Sequence, residues 1–135
     1  MTIEDITNDS NFLIGSNDET IIKVIGVGGG GNNAIKHMYN QGIKNVSFVV
    51  CNTDAQALNN CRIHNKIQMG PGLGAGNDPA KGRMYAIESE EQLRSLLETS
   101  KVKMLFIAAG MGGGTGTGAS PIIAKIAHDL GILTV

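Results

Sequence analysis

Apolar positions fall into two alternating kinds of run. Short, nearly continuous, β-branched runs occupy residues 21–27, 46–51, 66–69, 103–109 and 132–135. Such runs suit strands buried on both faces, as in a parallel sheet. Between them, apolar residues recur at helical spacing: Ala34, Ile35 and Met38; Leu93, Leu96 and Leu97; Ile122, Ile123, Ile126, Ala127 and Leu130. A short helix is also expected over 55–60. The polar residues between runs act as punctuation. Gly42 and Gly131 are placed to stop helices. Asn52-Thr53-Asp54 reads as a turn or cap. Asp78 before Pro79 predicts an N-cap followed by proline at the first helical position, with the helix over 79–87. Ser89 and Gln92 form a capping box. Asn32 or Asn33 is expected to cap the helix after the first strand. Ser120-Pro121 either repeats the cap-and-proline signature or lies inside a helix that starts near Thr115. The resulting order, β-α-β-α-β-α-β-α-β, predicts an α/β fold: a Rossmann-like, three-layer parallel sheet with helices on both faces.

Three glycine-rich turns follow the first, third and fourth strands, so they meet at the carboxyl edge of the sheet, where such folds bind ligands. They contain Gly28 to Gly31, then Gly70, Gly72, Gly74 and Gly76, then Gly110-Met111-Gly112-Gly113-Gly114-Thr115-Gly116-Thr117-Gly118. In the last, the missing Cβ atoms let the backbone approach a ligand closely. Successive N–H groups and a helix N-terminus then favour an anion, with phosphate the natural candidate. The two threonines can add hydroxyl donors. The other reading, a flexible linker, fits poorly where the run joins a strand to a helix within one pattern.

Composition narrows this further. The chain has 135 residues, enough for one modest domain, and a formal net charge of −1. With scattered Lys and Arg, no basic field attracts nucleic acid or an anionic membrane. No apolar run approaches a membrane span, so no direct membrane insertion is expected. Cys51 and Cys61 lack metal-site or redox spacing, and Cys51 reads as a reduced core residue, which suits a cytosol. His37, His64 and His128 show no metal spacing, and Glu88, Glu90 and Glu91 read as a solvated helix start. Residues 1–19 are polar and acidic and read as a mobile tail without signal-peptide character, with the domain spanning 20–135.

Gly26-Val27-Gly28-Gly29-Gly30-Gly31 matches G-x-G-x-x-G after a strand, the dinucleotide fingerprint of oxidoreductases. That fingerprint wants an acid at the tip of the second strand, where Asn52 stands. It also does not account for the run 110–118. No G-x-x-x-x-G-K-[ST] is present, which excludes the P-loop class.

Four segments appear together in order: Gly26 to Ala34; Asn52-Thr53-Asp54-Ala55-Gln56-Ala57-Leu58; Gly72-Leu73-Gly74-Ala75-Gly76; and Ala108 to Ala119, containing GGGTGTG. With these, the chain from about residue 20 onward strongly resembles the FtsZ family, the bacterial tubulin-like cell-division GTPases. The resemblance implies a GTP/GDP site with bound Mg²⁺. Gly29, Gly30, Gly31, Asn32 and Asn33 would face phosphates and ribose. Asn52 and Asp54 would form the turn near ribose, phosphates and cation, with Gln56 helping through water. Ala75, Gly76 and Asn77 would sense the γ-phosphate, and Gly112, Gly113, Gly114, Thr115 and Gly116 would form the main cradle. The family also implies a head-to-tail homopolymer, division-protein partners and a cytoplasmic, mid-cell location. Its second half supplies guanine recognition and an acidic loop that completes hydrolysis in the next subunit. The sequence stops before both, so it reads as an N-terminal fragment that binds without turnover, with an apolar sheet edge prone to association. No catalytic residue is assigned within it.

Overall fold

In the computed structural model, which describes residues 20–98 and 101–135, five strands form one parallel sheet in the order β3-β2-β1-β4-β5. The predicted tail at 1–19 lies outside the described residues. The strands are β1 (Ile22–Val27), β2 (Val46–Asn52), β3 (Asn65–Gln68), β4 (Met104–Ala109) and β5 (Leu133–Thr134). The helices are α1 (Gly28–Asn40), α2 (Ala55–Asn59), α3 (Pro79–Glu88), α4 (Glu90–Glu98) and α5 (Gly114–Asp129).

In the parallel register Ile25 lies beside Val49 and Ile107, and Val24 beside Phe48 and Phe106. Alternate residues of β1 therefore feed two separate cores. Ile25, Val27, Val49 and Cys51 pack with Ala86 of α3, Leu93 and Leu97 of α4, and Ile122, Ile123 and Ile126 of α5. Val24 and Val50 pack on the opposite face with Ile35 of α1, Leu58 of α2 and Ile63. This is the predicted three-layer α/β architecture, and of the apolar positions assigned to the helices all but Ala34 join one of these two cores.

The helix ends divide into those predicted and those not. Gly42 and Gly131 take positive φ, and the Gly42 and Gly131 N–H groups donate to the Tyr39 and His128 carbonyls. Asp78 caps α3 through Ala80 N, with Pro79 as the first helical residue. Helix α4 begins at Glu90, straight after Ser89. One start differs from expectation, and α5 takes one of the two starts that the sequence left open. Helix α1 begins at Gly28, so neither Asn32 nor Asn33 is its cap. Helix α5 begins at Gly114, which leaves Ser120 and Pro121 inside it, and the Ser120 hydroxyl donates to the Gly116 carbonyl (2.6 Å). Both helices wind their first turn from glycines, against propensity.

Close packing between α3 and α5 accounts for that sequence choice at one seam. A Cβ at Gly118 would run into the Pro79 carbonyl oxygen and lie 2.6 Å from Arg83 N. A Cβ at Gly82 would meet the carbonyl oxygen of Gly114, at the start of α5. The two helices thus touch backbone to backbone, which fixes the start of α5 against the start of α3.

Candidate functional site

The carboxyl ends of the strands open into a cleft of about 630 Å³. Four connections line it: Val27 to Gly30 after β1; Asn52, Thr53, Asp54 and Ala57 after β2; Leu73 to Asn77 before α3; and Gly110, Met111 and Gly113 to Gly116 after β4. Its size is that of a small-molecule or cofactor site. Among the described residues of this lining, Asp54 is the one that is charged.

The helix starts around the cleft differ in how they are capped. Asp54 caps α2 by accepting from Gln56 N (3.0 Å) and Ala57 N (3.1 Å). Asp78 caps α3 by accepting from Ala80 N (3.0 Å). Neither α1 nor α5 has a side-chain cap. Their starts, Gly28 to Gly30 and Gly114 to Gly116, line the cleft. A helix leaves its first N–H groups without intrahelical partners and carries a partial positive charge at that end. Two such ends facing one cleft suit an anion, since an anion supplies the acceptors that a capping side chain would otherwise give. Gly29 and Gly113 face open space where a Cβ would stand, so a side chain there would occupy room left for a ligand.

A buried polar chain ties these loops together. The Asn32 amide nitrogen donates to the Gly26 carbonyl (3.0 Å) and the Cys51 carbonyl (3.2 Å). The Asn52 amide nitrogen donates to Asn32 Oδ1 (2.9 Å). Asn52 Oδ1 in turn accepts from Thr53 N (2.8 Å) and Asp54 N (3.3 Å). Thr53 and Thr115 join through their hydroxyls (2.6 Å), linking the β2 loop to the first turn of α5. Gly112 N donates to Thr117 Oγ1 (3.2 Å), which pins the loop before α5. Thr117 keeps its hydroxyl proton while accepting this bond, and it lies outside the lining of the cleft. Beside this chain, burial pushes the Cys51 thiol well above its ordinary pKa, so it stays a neutral core group.

Of the residues expected from the sequence, the cleft brings together Gly29, Gly30, Asn52, Asp54, Ala75, Gly76, Asn77, Gly113, Gly114, Thr115 and Gly116. Gly31, Asn32, Asn33 and Gly112 lie outside its lining. Gly31 packs against the Ala108 carbonyl, and the Asn32 side chain is committed to the polar chain. Asn33 is exposed, one residue on in α1. Gly28, Gly74 and Gly110 were missed as lining although the glycine pattern runs through them. Thr53 was missed because its one sequence signal is its place between Asn52 and Asp54.

A parallel sheet with an anion-ready carboxyl edge defines an α/β domain of the nucleotide-binding class. The family model described as the Tubulin/FtsZ family, GTPase domain, matches residues 21–135. "Cell division protein FtsZ" of Porphyromonas gingivalis is 51% identical over 119 residues, covering 85% of this chain and 26% of that protein. The protein of the same name from Buchnera aphidicola subsp. Acyrthosiphon pisum is 56% identical over 122 residues, covering 87% of this chain and 31% of its own. Among solved structures, an empty FtsZ dimer of M. jannaschii superposes with a TM-score of 0.78 at 38% identity, covering 98% of this chain and 38% of that one. TubZ of Clostridium botulinum phage c-st shares the fold, with a TM-score of 0.73 at 22% identity over 83% of this chain and 38% of its own. The chain belongs to the Tubulin/FtsZ family, as the resemblance of its four motif segments implied, and the oxidoreductase alternative falls away. It spans about a quarter to a third of the length of these curated relatives.

Proposed function

We propose that these residues bind GTP and GDP, with the phosphates at the uncapped starts of α5 and α1. The observation that carries this reading is the contrast in capping. The helices started by Asp54 and Asp78 have a side chain that accepts from their first N–H groups, and the two helices started by glycine, whose ends line the cleft, have none. Gly113, Gly114, Thr115 and Gly116 form the main cradle in this assignment, with Gly112 behind it. Gly29 and Gly30 form the second wall, with Gly31, Asn32 and Asn33 supporting it from α1. Ala75, Gly76 and Asn77 face the terminal phosphate. Asn52 acts by holding the β2 loop in shape, because Oδ1 already accepts two backbone N–H groups.

Among the described lining residues, a polyphosphate in this cleft meets no Lys or Arg side chain and one carboxylate, Asp54. Backbone dipoles offset part of its charge, and a divalent cation offsets the rest. Among the described residues no group of three His, Cys, Asp or Glu could hold a metal alone. Mg²⁺ fits that setting, because it keeps several waters and binds through one or two carboxylates plus substrate phosphates. Asp54 would hold it through Oδ2, which lies outside the α2 cap. The ion would neutralise charge on the phosphates.

The whole protein, in this reading, is a GTP-hydrolysing, filament-forming cell-division protein. Its curated relatives carry the name cell division protein, and this chain contributes the phosphate-binding part of the site. Hydrolysis is completed between subunits of a head-to-tail homopolymer in this reading. Other division proteins and a cytoplasmic position at mid-cell belong to the same proposal. Among the described residues no helix is long and apolar enough to cross a membrane.

The test is to purify the chain natively, denature it and identify the released nucleotide by chromatography. GDP or GTP is expected. Release of NAD would revive the dinucleotide reading, and a chain that is empty and fails to take up GDP would overturn retention by this segment.

A further inference from the structure

Thr53, in the loop after β2, and Thr115, in the first turn of α5, lie far apart in sequence and share one short hydrogen bond, 2.6 Å between hydroxyl oxygens. A hydroxyl pair has two protons and only one of them lies in the mutual bond, so either oxygen could be the donor. Burial decides the direction. Thr53 is 1% exposed and its hydroxyl has no second partner among the described residues, whereas Thr115 is 9% exposed in the first turn of α5. If Thr115 donated, the Thr53 proton would be left buried without an acceptor, which is costly. If Thr53 donates, the more deeply buried of the two hydroxyls is satisfied, and the proton left over is on Thr115, the less buried of these two lining residues.

We propose that Thr53 is a positioning residue: by donating to Thr115 it commits the Thr115 hydroxyl proton to a phosphate oxygen of the bound nucleotide. The inference rests on the proposed nucleotide reading and deepens it. Thr115 is the residue that touches the ligand, and Thr53 acts through it. A hydroxyl that accepts one bond donates the next more strongly, so the pair works as a directed relay from the β2 loop to the cradle. The rest of the buried chain supports it. Thr53 N is held by Asn52 Oδ1, and Asn52 by Asn32, so the Thr53 side chain is presented from a fixed backbone.

The experiment measures GDP affinity by equilibrium dialysis for the wild-type chain, Thr53→Val, Thr53→Ser, Thr115→Val and the double variant, with folding checked by circular dichroism. Thr53→Val keeps the shape and removes the donor, and should weaken GDP binding by about tenfold, the worth of one hydrogen bond to a charged group. Thr53→Ser restores the donor and should bind within about twofold of wild type. In the Thr115→Val background, Thr53→Val should produce no further loss, because the relay already lacks its second member. If Thr53→Val does not fold, Thr53→Ala carries the same comparison. Unchanged affinity in a folded Thr53→Val protein overturns the relay alone. So does a loss that persists in the Thr115→Val background, since that loss would come from packing. A wild-type chain that binds no GDP overturns the nucleotide reading, and the relay with it.

Discussion

At the scale of single residues, the cleft is defined as much by absent side chains as by present ones. Gly113 is the N-cap of α5 with φ −93° and ψ 176°, extended backbone that any residue adopts. A Cβ there meets no protein atom within 4 Å. Glycine at this position is therefore demanded neither by its own conformation nor by neighbouring atoms, and the space is left for a ligand. Gly113→Val tests this. The variant should fold, losing about 1 kcal/mol for the poorer cap. Its GDP affinity should fall by about 10- to 100-fold, the equivalent of one charge-assisted backbone bond. A folded Gly113→Val protein with wild-type affinity, measured by dialysis, would remove Gly113 from the cradle. The polar residues make the complementary case. Asn32 looks from sequence like a local cap, and its partners turn out to lie 6, 19 and 20 residues away. Nothing in its neighbours along the chain signals that, because the signal is the fold itself. Asp54 and Asp78 were legible because their partners lie two or three residues on.

At the scale of elements, the strands and the apolar helix faces could be read because burial imposes their period. The start of α1 could not, because propensity argues against a helix wound from glycine, and the start of α5 was legible only as one of two readings. Ser120-Pro121 left two readings open, and the structure takes the one inside the helix: Pro121 is exposed and tolerated in α5, so the local start signal lost to tertiary packing. Gly118 shows the strength of that packing. Alanine at an ordinary helix interior gains about 1 kcal/mol over glycine. Here its Cβ would collide with the backbone of Pro79 and Arg83, atoms that cannot yield as a flexible side chain would. Overpacking costs about 1–3 kcal/mol, so the seam should outweigh the propensity. Gly118→Ala is therefore expected to lower stability in urea denaturation despite being the better helix former. It should also weaken GDP binding, because α3 carries the loop from Leu73 to Asn77 that walls the cleft. A Gly118→Ala chain more stable than wild type would show that the seam is loose and that α3 is free to move relative to the cradle.

At the scale of the whole molecule, the two faces of the sheet are unequally covered. The row Val24, Phe48, Phe106 runs across β1, β2 and β4 on the α1 face. Val24, under α1, is 4% exposed, whereas Phe106, towards the β5 edge, is 37% exposed. Leu133 of β5 lies beside Met104 in register, on the same face as Phe106, and is 59% exposed. Together these residues make an apolar strip that ends at an edge strand. Edge strands with apolar neighbours and no charged guard residue tend to pair with other chains. The 135-residue chain should therefore associate reversibly as its concentration rises, which sedimentation velocity would register as a shift away from the monomer. Leu133→Lys places a charge on the strip and should hold the chain monomeric. Because Leu133 lies outside the cleft, the same variant should bind GDP as the wild type does, which separates association through the strip from ligand binding. A wild-type chain that stays monomeric at every concentration would mean that the strip is too narrow to join copies. A Leu133→Lys chain that associates as before would place the contact elsewhere, with the exposed Leu73 and Met111 at the rim of the cleft as the next apolar surface to test.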